Sequence, residues 1–360
     1  MRILVRCPNW VGDVVMATPF LDALRNAFPD AHITYMLRNY VRQVYSGSPW
    51  CNEFFVIENK QKKLSFVGKI AQVIKHIRYM RKGNYDTAVL LVNSFQSAFE
   101  VWCAGISLRL GYKREGRGLF LTEGPTPNIK NGVYIPGPMI PYYNKLAEFL
   151  NIMPPSLDMK LYVSTHEDSE ADARLQHMGV LPSDKLVGLN PGGAFGASKF
   201  WSPAYYAAVG DYYSSFERAK VIIFAGPNEE QIANDIAGLM KQPAVISTSD
   251  KLSLGGAKAV YKRLNLLVTN DTGPRHFASA FGVPSVVLIG STNPKWTENH
   301  DPYQFVLGKI PVCGPCHQRI CPLNHQCMKA LKPTQVIEIA NKLLEKKYGK
   351  DFFSTSKSVE

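Results

Sequence analysis

Short apolar runs alternate with helical patterns twice along the chain, on either side of a proline-containing stretch at residues 151–155. Strands are predicted at residues 2–7, 32–37, 54–57, 87–92, 186–189, 221–225, 266–269 and 285–289. Helices are predicted at residues 14–28, 64–82, 98–105, 142–150, 203–214, 229–240, 254–262 and 274–281. Such alternation is typical of parallel sheets covered by helices. The sequence therefore predicts an α/β protein with two Rossmann-like domains facing a central cleft.

The boundary between the predicted domains lies at the same proline-containing stretch. We expect one domain at residues 1–155, a second at residues 156–350, and a disordered polar tail at residues 351–360. Residues 111–141 are rich in Gly, Pro and Arg, which predicts an irregular segment. Two domains also agree with the length of 360 residues, which exceeds a single ordinary core.

Composition and the start of the chain indicate where the protein works. Hydrophobic residues make up 46% and charged residues 19%, as in a soluble globular protein. No apolar stretch approaches the roughly 20 residues that span a bilayer. Only three apolar residues lie between Arg2 and Arg6, so no signal peptide is predicted. We expect a cytoplasmic protein whose seven cysteines are reduced.

Positive charge is concentrated in the first half of the chain. Residues 1–150 carry 19 Lys and Arg against 10 Asp and Glu. Residues 60–82 hold eight of these cations and no acid, interleaved with apolar residues. A basic amphipathic helix of this kind fits an anionic membrane surface or an anionic acceptor, and it also fits an ordinary surface helix. Nucleic acid is disfavoured, because no RNA-binding motif or zinc-finger spacing accompanies the charge.

The loop after the first predicted strand is a candidate site. It contains Asn9, Trp10, Gly12 and Asp13, and a buried helix is predicted to follow. This turn lies at the carboxyl edge of a parallel sheet, where ligands bind. A carboxylate there suits a catalytic base better than a phosphate ligand, because it repels phosphate. The alternative is that Asp13 caps the helix.

Two loops in the second half have the composition of an anion site. The loop after the strand at 186–189 contains three glycines, Ser198 and Lys199. The loop after the strand at 266–269 leads into a helix start with backbone N–H groups free to bind an anion. That loop contains Asp271, Thr272, Gly273 and His276. We expect the two loops to bind a diphosphate. The alternatives are that Lys199 is a solvated surface residue, that Asp271 caps the helix and that His276 is an ordinary helix residue.

Four cysteines fall within fifteen residues near the end of the second domain. They are Cys313, Cys316, Cys321 and Cys327. The first two have the Cys-x-x-Cys spacing of a zinc knuckle, whereas the later spacings match no standard finger. Three interpretations of residues 313–327 therefore remain open: a structural zinc, reversible disulfides and unliganded thiols.

Taken in order along nearly the whole chain, these motifs resemble glycosyltransferase family 9, the ADP-heptose:lipopolysaccharide heptosyltransferases. The loop at 9–13, the loop at 190–201 ending Ser-Lys-Phe-Trp, and the loop at 270–276 carry the resemblance. The family pattern Asp-x-Gly-x-x-His is met by Asp271, Gly273 and His276. Residues 282–294 also resemble the family's next strand and loop.

The resemblance implies a GT-B fold and inverting transfer that needs no metal. The first domain is then the acceptor-binding domain, with Asp13 as general base, and the second binds the ADP-sugar. The residues implied to hold the donor diphosphate are Ser198, Lys199, Thr272, Gly273 and His276. Asp271 and Glu229 are implied to contact the donor sugar or nucleoside.

The function that we expect is transfer of a heptose from ADP-heptose to the inner core of lipopolysaccharide. The partners are then an ADP-sugar and an anionic lipid-linked saccharide, at the inner face of the cytoplasmic membrane. Alternatives are transfer of another activated sugar to a different cell-surface glycan, a sugar-nucleotide epimerase on the same scaffold, and a non-catalytic binder. The Asp13→Asn variant distinguishes a transferase from the epimerase and the binder, because a transferase should keep donor binding and lose transfer.

Overall fold

A computed structural model describes residues 1–57, 65–193, 196–215, 217–248, 251–309, 311–350 and 352. Contacts within the chain divide it into two compact units. One consists of Met1–Tyr162 and Lys295–Asn299, and the other of Val163–Pro294 and His300–Glu360. The predicted disordered tail at 351–360 lies outside the described residues, apart from Phe352.

The first unit is built on a five-stranded parallel sheet. Its strands are β1 (Arg2–Arg6), β2 (His32–Arg38), β3 (Glu53–Ile57), β4 (Thr87–Leu90) and β5 (Leu108–Gly111), in the order β3-β2-β1-β4-β5. A separate antiparallel pair is formed by β6 (Ile129–Lys130) and β7 (Val133–Tyr134). Its helices are α1 (Val11–Met16), α2 (Thr18–Ala27), α3 (Phe66–Gly83), α4 (Phe95–Cys103) and α5 (Met139–Asn144). Short 3₁₀ helices occupy Asn39–Val44, Arg117–Phe120 and Lys145–Leu150.

The second unit repeats this plan with a six-stranded parallel sheet. Its strands are β8 (Leu186–Asn190), β9 (Lys220–Ala225), β10 (Val245–Thr248), β11 (Leu266–Asn270), β12 (Ser285–Ile289) and β13 (Gln304–Gly308), in the order β10-β9-β8-β11-β12-β13. Its helices are α6 (Thr165–His177), α7 (Pro203–Ser215), α8 (Glu230–Leu239), α9 (Leu254–Arg263), α10 (Gly273–Ala280), α11 (Gln326–Lys329) and α12 (Pro333–Tyr348). This is the strand order of a dinucleotide-binding Rossmann fold. The predicted α/β class with two Rossmann-like halves is confirmed.

The single helix predicted at 14–28 is two helices, α1 and α2. Pro19 has no N–H to donate to the carbonyl of Val15, so the helix cannot continue through it unchanged. The hydroxyl of Thr18 donates to that carbonyl instead, at 2.7 Å. The break therefore falls at Ala17, and α1 begins three residues earlier than predicted.

The strands that sequence patterning missed in the two parallel sheets are all edge strands. β5 ends one side of the first sheet, and β10 and β13 end the two sides of the second. Edge strands are covered on fewer sides, and the residues of β13 are all partly exposed. They therefore lack the continuous apolar run that marks the buried central strands. Helix α6 was missed because its sequence is mostly polar.

Both units bury an apolar core against each sheet. In the first, α3 and α4 pack on one face over residues that include Leu4, Ala88 and Leu90. In the second, α7 and α12 pack over Val187, Leu189 and the neighbouring strands. Among the residues that the structure describes, no helix is both long and apolar enough to cross a membrane.

Candidate active site

The strand order of each sheet reverses beside its first strand, between β1 and β4 and between β8 and β11. In open parallel sheets ligands bind at the carboxyl edge where this reversal occurs, because the adjoining loops diverge there. The loops after β1 and β4 therefore define a candidate site in the first unit. The loops after β8 and β11 define one in the second. All the candidate residues except the cysteines follow these strands or β9.

Asp13 is the third residue of α1, and its side chain does not cap the helix. The residue in the capping position is Trp10, whose side chain makes no capping hydrogen bond. The interpretation of Asp13 as a helix cap is therefore wrong. Gly12 also lies within α1, so the turn that approaches the edge of the sheet is formed by residues 8–10 and not by this glycine.

The carboxylate of Asp13 is paired with a tyrosine. The hydroxyl of Tyr143, in α5, donates to Oδ1 of Asp13 at 3.4 Å. Burial raises the pKa of Asp13 to about 6, and the Tyr143 hydroxyl opposes that rise because it stabilises the charged form. A carboxylate with this pKa is mostly ionised at neutral pH, yet it is basic enough to accept a proton in a reaction.

Residues around Tyr143 fix its position. The adjacent Tyr142 stacks on Tyr112 with ring centroids 3.7 Å apart, and its hydroxyl donates to Oδ1 of Asn93 at 3.0 Å. The Tyr112 hydroxyl donates to the Tyr142 carbonyl at 2.8 Å. Asn93 follows β4 and Tyr112 follows β5, so the edge of the sheet itself holds α5 against Asp13.

The loop at residues 8–10 is held by its own set of bonds. Arg6 donates from Nη1 to the Cys7 carbonyl at 2.6 Å and from Nη2 to Oδ1 of Asn9 at 3.1 Å. The Tyr40 hydroxyl donates to the Asn9 carbonyl. Asn9 is therefore a structural member of the loop, whereas the Trp10 ring is exposed beside Asp13 in the chain and available to a ligand.

In the second unit, Asp271 lies at the centre of a buried charge network. Its Oδ1 accepts from Nη1 of Arg275 at 2.7 Å, and its Oδ2 accepts from Nζ of Lys199 at 3.1 Å and from the Thr292 hydroxyl at 2.9 Å. Lys199 also donates to the Asp271 carbonyl at 2.6 Å. The N-terminal cap residue of α10 is Thr272, so the alternative of a capping Asp271 is wrong.

In this network Asp271 forms ion pairs with two cations, Lys199 and Arg275. Burial alone would raise the pKa of Asp271, but Arg275 and Lys199 outweigh burial and hold that pKa well below its ordinary range. Burial, assisted by the charge of Arg275, lowers the pKa of His276 to about 3. His276 is therefore neutral at physiological pH, and its Nδ1 has no hydrogen-bond partner within the described residues.

Glu229 joins two of the loops. Its Oε1 accepts from the Gly193 N–H at 2.7 Å and its Oε2 accepts from the Gly226 N–H at 2.9 Å. The carboxylate packs so closely on Gly192 that a β-carbon there would lie 1.9 Å from Oε2. Glu229 therefore positions the loop after β8. Residue 192 is a glycine because a side chain there would clash with the Glu229 carboxylate.

Ser198 connects the loop of Lys199 to the cysteine-rich segment. Its N–H donates to the Arg319 carbonyl at 3.1 Å, and its hydroxyl donates to the Gln318 carbonyl. Ser198 is only 1% exposed, so this hydroxyl is not free for a diphosphate. The role predicted for Ser198 is corrected accordingly: it anchors the loop that carries Lys199.

The four cysteines are not arranged as a zinc site, one of the three alternatives for this segment, would require. Cys327 is buried beneath β12, where its Sγ lies 2.7 Å from the position of a β-carbon on Gly290, whereas Cys313 is exposed. All four thiols are free of disulfides. Among the described parts of the chain, no three His, Cys, Asp or Glu residues are grouped to hold a metal ion. A structural zinc is therefore not supported.

Sequence reasoning missed several residues that build these sites. Arg275 stands four residues after Asp271, a spacing that places opposite charges together on a helix and so was a usable signal. Gln304 accepts from Arg275 at 2.6 Å but belongs to the missed strand β13. Tyr143 is 130 residues from Asp13, and no local pattern connects them.

Substitution of Arg275 by Met is expected to lower the free energy of unfolding by about 3–5 kcal/mol, because it leaves the Asp271 carboxylate buried with less compensation. The matched control is Lys342→Met, which removes an exposed ion pair with Glu338 and should leave the free energy of unfolding nearly unchanged. Urea denaturation followed by circular dichroism measures both. Equal losses in the two variants would contradict the central place of the network.

Substitution of Cys327 by Ser is expected to cost about 1–2 kcal/mol of stability, since a hydroxyl replaces a buried thiol packed in the core. The exposed Cys313→Ser should change stability by less than about 0.5 kcal/mol. Thermal and urea unfolding of the two variants provides the comparison. If Cys313→Ser is as damaging as Cys327→Ser, the thiols act as one unit and this description of the segment is wrong.

Comparison with known proteins identifies the family of this chain. A model of "Glycosyltransferase family 9 (heptosyltransferase)" matches residues 73–326. Lipooligosaccharide heptosyltransferase 2 of Campylobacter jejuni is 29% identical over 356 residues, which cover 96% of this chain and 99% of that protein.

Two solved structures are similar over nearly the full length. A glycosyl transferase family 9 protein from Veillonella parvula superposes with a TM-score of 0.82 at 25% identity, covering 96% of this chain and 97% of that one. The ADP-heptose lipopolysaccharide heptosyltransferase II of Escherichia coli superposes with a TM-score of 0.77 at 25% identity, covering 96% and 99%. Since the family model matches well over half of this chain, the chain belongs to glycosyltransferase family 9 and is a glycosyltransferase.

Proposed function

We propose that this enzyme transfers a heptose from ADP-heptose to the inner core of lipopolysaccharide, with inversion at the anomeric carbon and without a metal. The observation that carries the proposal is the Asp13 carboxylate, whose pKa is raised to about 6 at the reversal point of the first sheet. The names of the relatives, which are heptosyltransferases of lipopolysaccharide or lipooligosaccharide, support the choice of substrates.

Asp13 is proposed as the general base. As the acceptor oxygen attacks the anomeric carbon of the heptose, the carboxylate takes the proton from the attacking hydroxyl. The bond between that carbon and the diphosphate oxygen breaks, and ADP leaves with the electron pair. A single displacement of this kind inverts the anomeric configuration. Trp10, exposed at the preceding turn, is proposed to pack on the acceptor saccharide.

The second unit is proposed to hold ADP-heptose through the network around Asp271. The ammonium group of Lys199, which Asp271 holds at the loop after β8, stabilises the charge that develops on the leaving diphosphate. The start of α10 at Thr272 and Gly273 adds backbone N–H groups to the same anion site. The neutral His276 contributes a hydrogen bond and no charge. Asp271 positions Lys199 and contacts the donor, while Glu229 acts on the donor through the loop that it orders.

The setting that we propose is the cytoplasmic face of the inner membrane, where a lipid-linked acceptor is exposed to a soluble nucleotide sugar. The basic character of residues 1–150 supports an anionic acceptor. A member of the family that uses another activated sugar would share the same base and the same diphosphate contacts. A panel of ADP- and GDP-sugars therefore decides the donor.

Substitution of Asp13 by Asn is expected to lower kcat by about 10²–10⁴-fold while ADP-heptose binding stays within about twofold, because the base is removed and the donor site in the second unit is untouched. Asp30→Asn, an exposed carboxylate in the same unit, is the matched control and should keep full activity. Transfer is measured by mass spectrometry of a delipidated core acceptor, and binding by calorimetry. Unchanged transfer by the Asp13→Asn variant would contradict the role of Asp13 as general base.

Substitution of Tyr143 by Phe is expected to shift the acidic limb of the pH profile upward, by up to about 1 pH unit. Activity requires ionised Asp13, so it is lost as pH falls through that pKa. Without the Tyr143 hydroxyl, the charged form is less stable and the pKa rises, so activity is lost at higher pH. The profile of kcat/KM against pH reports the shift. A limb that stays in place, or moves to lower pH, would contradict the pairing.

A further inference from the structure

Residues 156–160, close to where the chain leaves the first unit, form an irregular segment that connects two helices of that unit. The N–H of Lys160 donates to the hydroxyl oxygen of Thr18 at 3.1 Å, and the carbonyl of Ser156 accepts from Nδ2 of Asn144 at 2.9 Å. Thr18 is the first residue of α2, and Asn144 is the last residue of α5. We refer to residues 156–160 as the clasp, since each of its ends is bonded to a different helix.

At one end of the clasp, Thr18 is bonded to the helix that carries Asp13. The Thr18 hydroxyl donates to the Val15 carbonyl at 2.7 Å and accepts from the clasp, so it joins the clasp to the last turn of α1. One residue before Thr18, the N–H of Ala17 donates to the carbonyl of Asp13 at 3.0 Å. Thr18 is fully buried, and a buried hydroxyl is costly to leave without hydrogen-bond partners. The clasp therefore helps to fix the backbone that carries Asp13.

At the other end of the clasp, Asn144 is bonded within the helix that carries Tyr143. The Tyr143 hydroxyl donates to Oδ1 of Asp13 at 3.4 Å, and Asn144 is the next residue in the chain. Helix α5 has six residues, fewer than the roughly 12 that an isolated helix needs, so its contacts with the rest of the fold determine where it lies. Those contacts include α1 and α2 and, through the buried Asn144, the clasp.

Side-chain contacts hold the clasp on the first unit, although most of its residues are exposed. Nζ of Lys160 donates to Oδ2 of Asp22 at 2.7 Å, and the other carboxylate oxygen of Asp22 accepts from Nε1 of Trp50 at 3.0 Å. Trp50 is buried and packs edge-on against Tyr162, with ring centroids 5.3 Å apart. The side chain of Met159 is also buried. The clasp is therefore a fixed part of the first unit and not a loose linker.

The contact between Asp13 and Tyr143 tolerates little displacement. Their oxygen atoms are 3.4 Å apart, already beyond the roughly 2.5–3.0 Å of an ordinary O–H···O hydrogen bond. The stack of Tyr142 on Tyr112 holds one part of α5, whereas the clasp bonds the last residue of α5 and the first residue of α2. A small shift of α1 or α5 would therefore separate the two side chains, and the clasp opposes such a shift in both helices.

We propose that the clasp positions Asp13 and Tyr143 for the reaction, with Thr18 and Asn144 as its two positioning residues. The inference rests on the proposed function, in which Asp13 removes the proton from the acceptor hydroxyl. The clasp acts through Asp13 and Tyr143 and not on the substrate. It keeps the carboxylate where it meets the attacking oxygen, and misplacement of a catalytic group by about 1 Å can cost about 10²-fold in rate. It also keeps the Tyr143 hydroxyl within reach of Asp13, which stabilises the ionised base.

The first test is the kinetics of full-length variants with a delipidated core acceptor. Thr18→Val keeps the shape of the side chain and removes its hydroxyl, so kcat should fall at least about tenfold while KM for ADP-heptose stays within about twofold. Thr18→Ser keeps the hydroxyl and should retain kcat within about threefold. Asn144→Leu removes the bond at the other end and should act like Thr18→Val. The matched control is Tyr85→Phe, which removes a buried hydrogen bond to Thr34 from a residue that precedes β4, at the opposite edge of the sheet, and should keep kcat and KM.

The second test is a titration of the Asp13 carboxyl that does not depend on transfer. Aspartate carboxyl groups are labelled with ¹³C, and the Asp13 signal is assigned by its loss in Asp13→Asn. Loss of the Tyr143 contact makes the charged form less stable, so the pKa of Asp13 should rise by about 0.5–1 in Thr18→Val and in Asn144→Leu and stay unchanged in Tyr85→Phe. In a Tyr143→Phe background the two clasp variants should cause no further rise, since that hydroxyl is already absent.

The positioning role is overturned if the folded clasp variants keep the wild-type kcat and Asp13 titration, if the pKa of Asp13 falls in them, or if Tyr85→Phe loses as much kcat. Thermal transitions establish which variants fold. If Thr18→Val does not fold, Asn144→Leu decides. If neither folds, the clasp is a requirement of folding and the proposal is wrong.

The two readouts separate this inference from the proposed function. A wild type that transfers no heptose would end the proposed function, while a rise in the pKa of Asp13 in the clasp variants would leave the clasp standing. A wild type that transfers heptose, with clasp variants that match it in kcat and in titration, would do the reverse.

Discussion

The buried ion pair between Asp271 and Arg275 is the interaction on which the second unit's site depends. Arg275 is almost fully buried and donates to Gln304 as well as to Asp271, so it ties α10 to the edge strand β13. The other oxygen of Asp271 holds Lys199. One carboxylate therefore fixes both the start of α10 and the lysine of the loop after β8. Removing either cation leaves the buried Asp271 carboxylate with one charged partner fewer.

Each unit has a buried carboxylate beyond the carboxyl edge of its sheet, Asp13 after β1 and Asp271 after β11, and the two have opposite properties. Asp13 has a buried environment with a tyrosine as hydrogen-bond partner, so its pKa rises to about 6. Asp271 has two cations beside it, so its pKa falls well below the ordinary range. The first carboxylate is suited to accepting a proton and the second to holding fixed charges in place. The environment of each carboxylate, and not its residue type, therefore sets its pKa.

Much of this could be predicted from sequence, because the central strands and the loops that follow them are local features. The loops at 9–13 and 270–276 were found from a strand, a turn and a helix in succession. Partners distant in the chain could not be predicted, since only the fold brings Tyr143 to Asp13 and Gln304 to Arg275. The spacing of the cysteines suggested a zinc site, but spacing does not reveal that Cys327 turns into the core while Cys313 faces solvent. Likewise, Ser198 looks like a ligand in the sequence and is an anchor in the structure.

The central claim, direct displacement of ADP from ADP-heptose by an acceptor hydroxyl, is tested most directly by the stereochemistry of the product. The enzyme is incubated with ADP-heptose and a delipidated core acceptor, and the new linkage is examined by nuclear magnetic resonance. The account predicts a product carrying one added heptose whose anomeric configuration is inverted relative to the donor. Retention of configuration, or an epimerised donor with no glycosylated product, would contradict it.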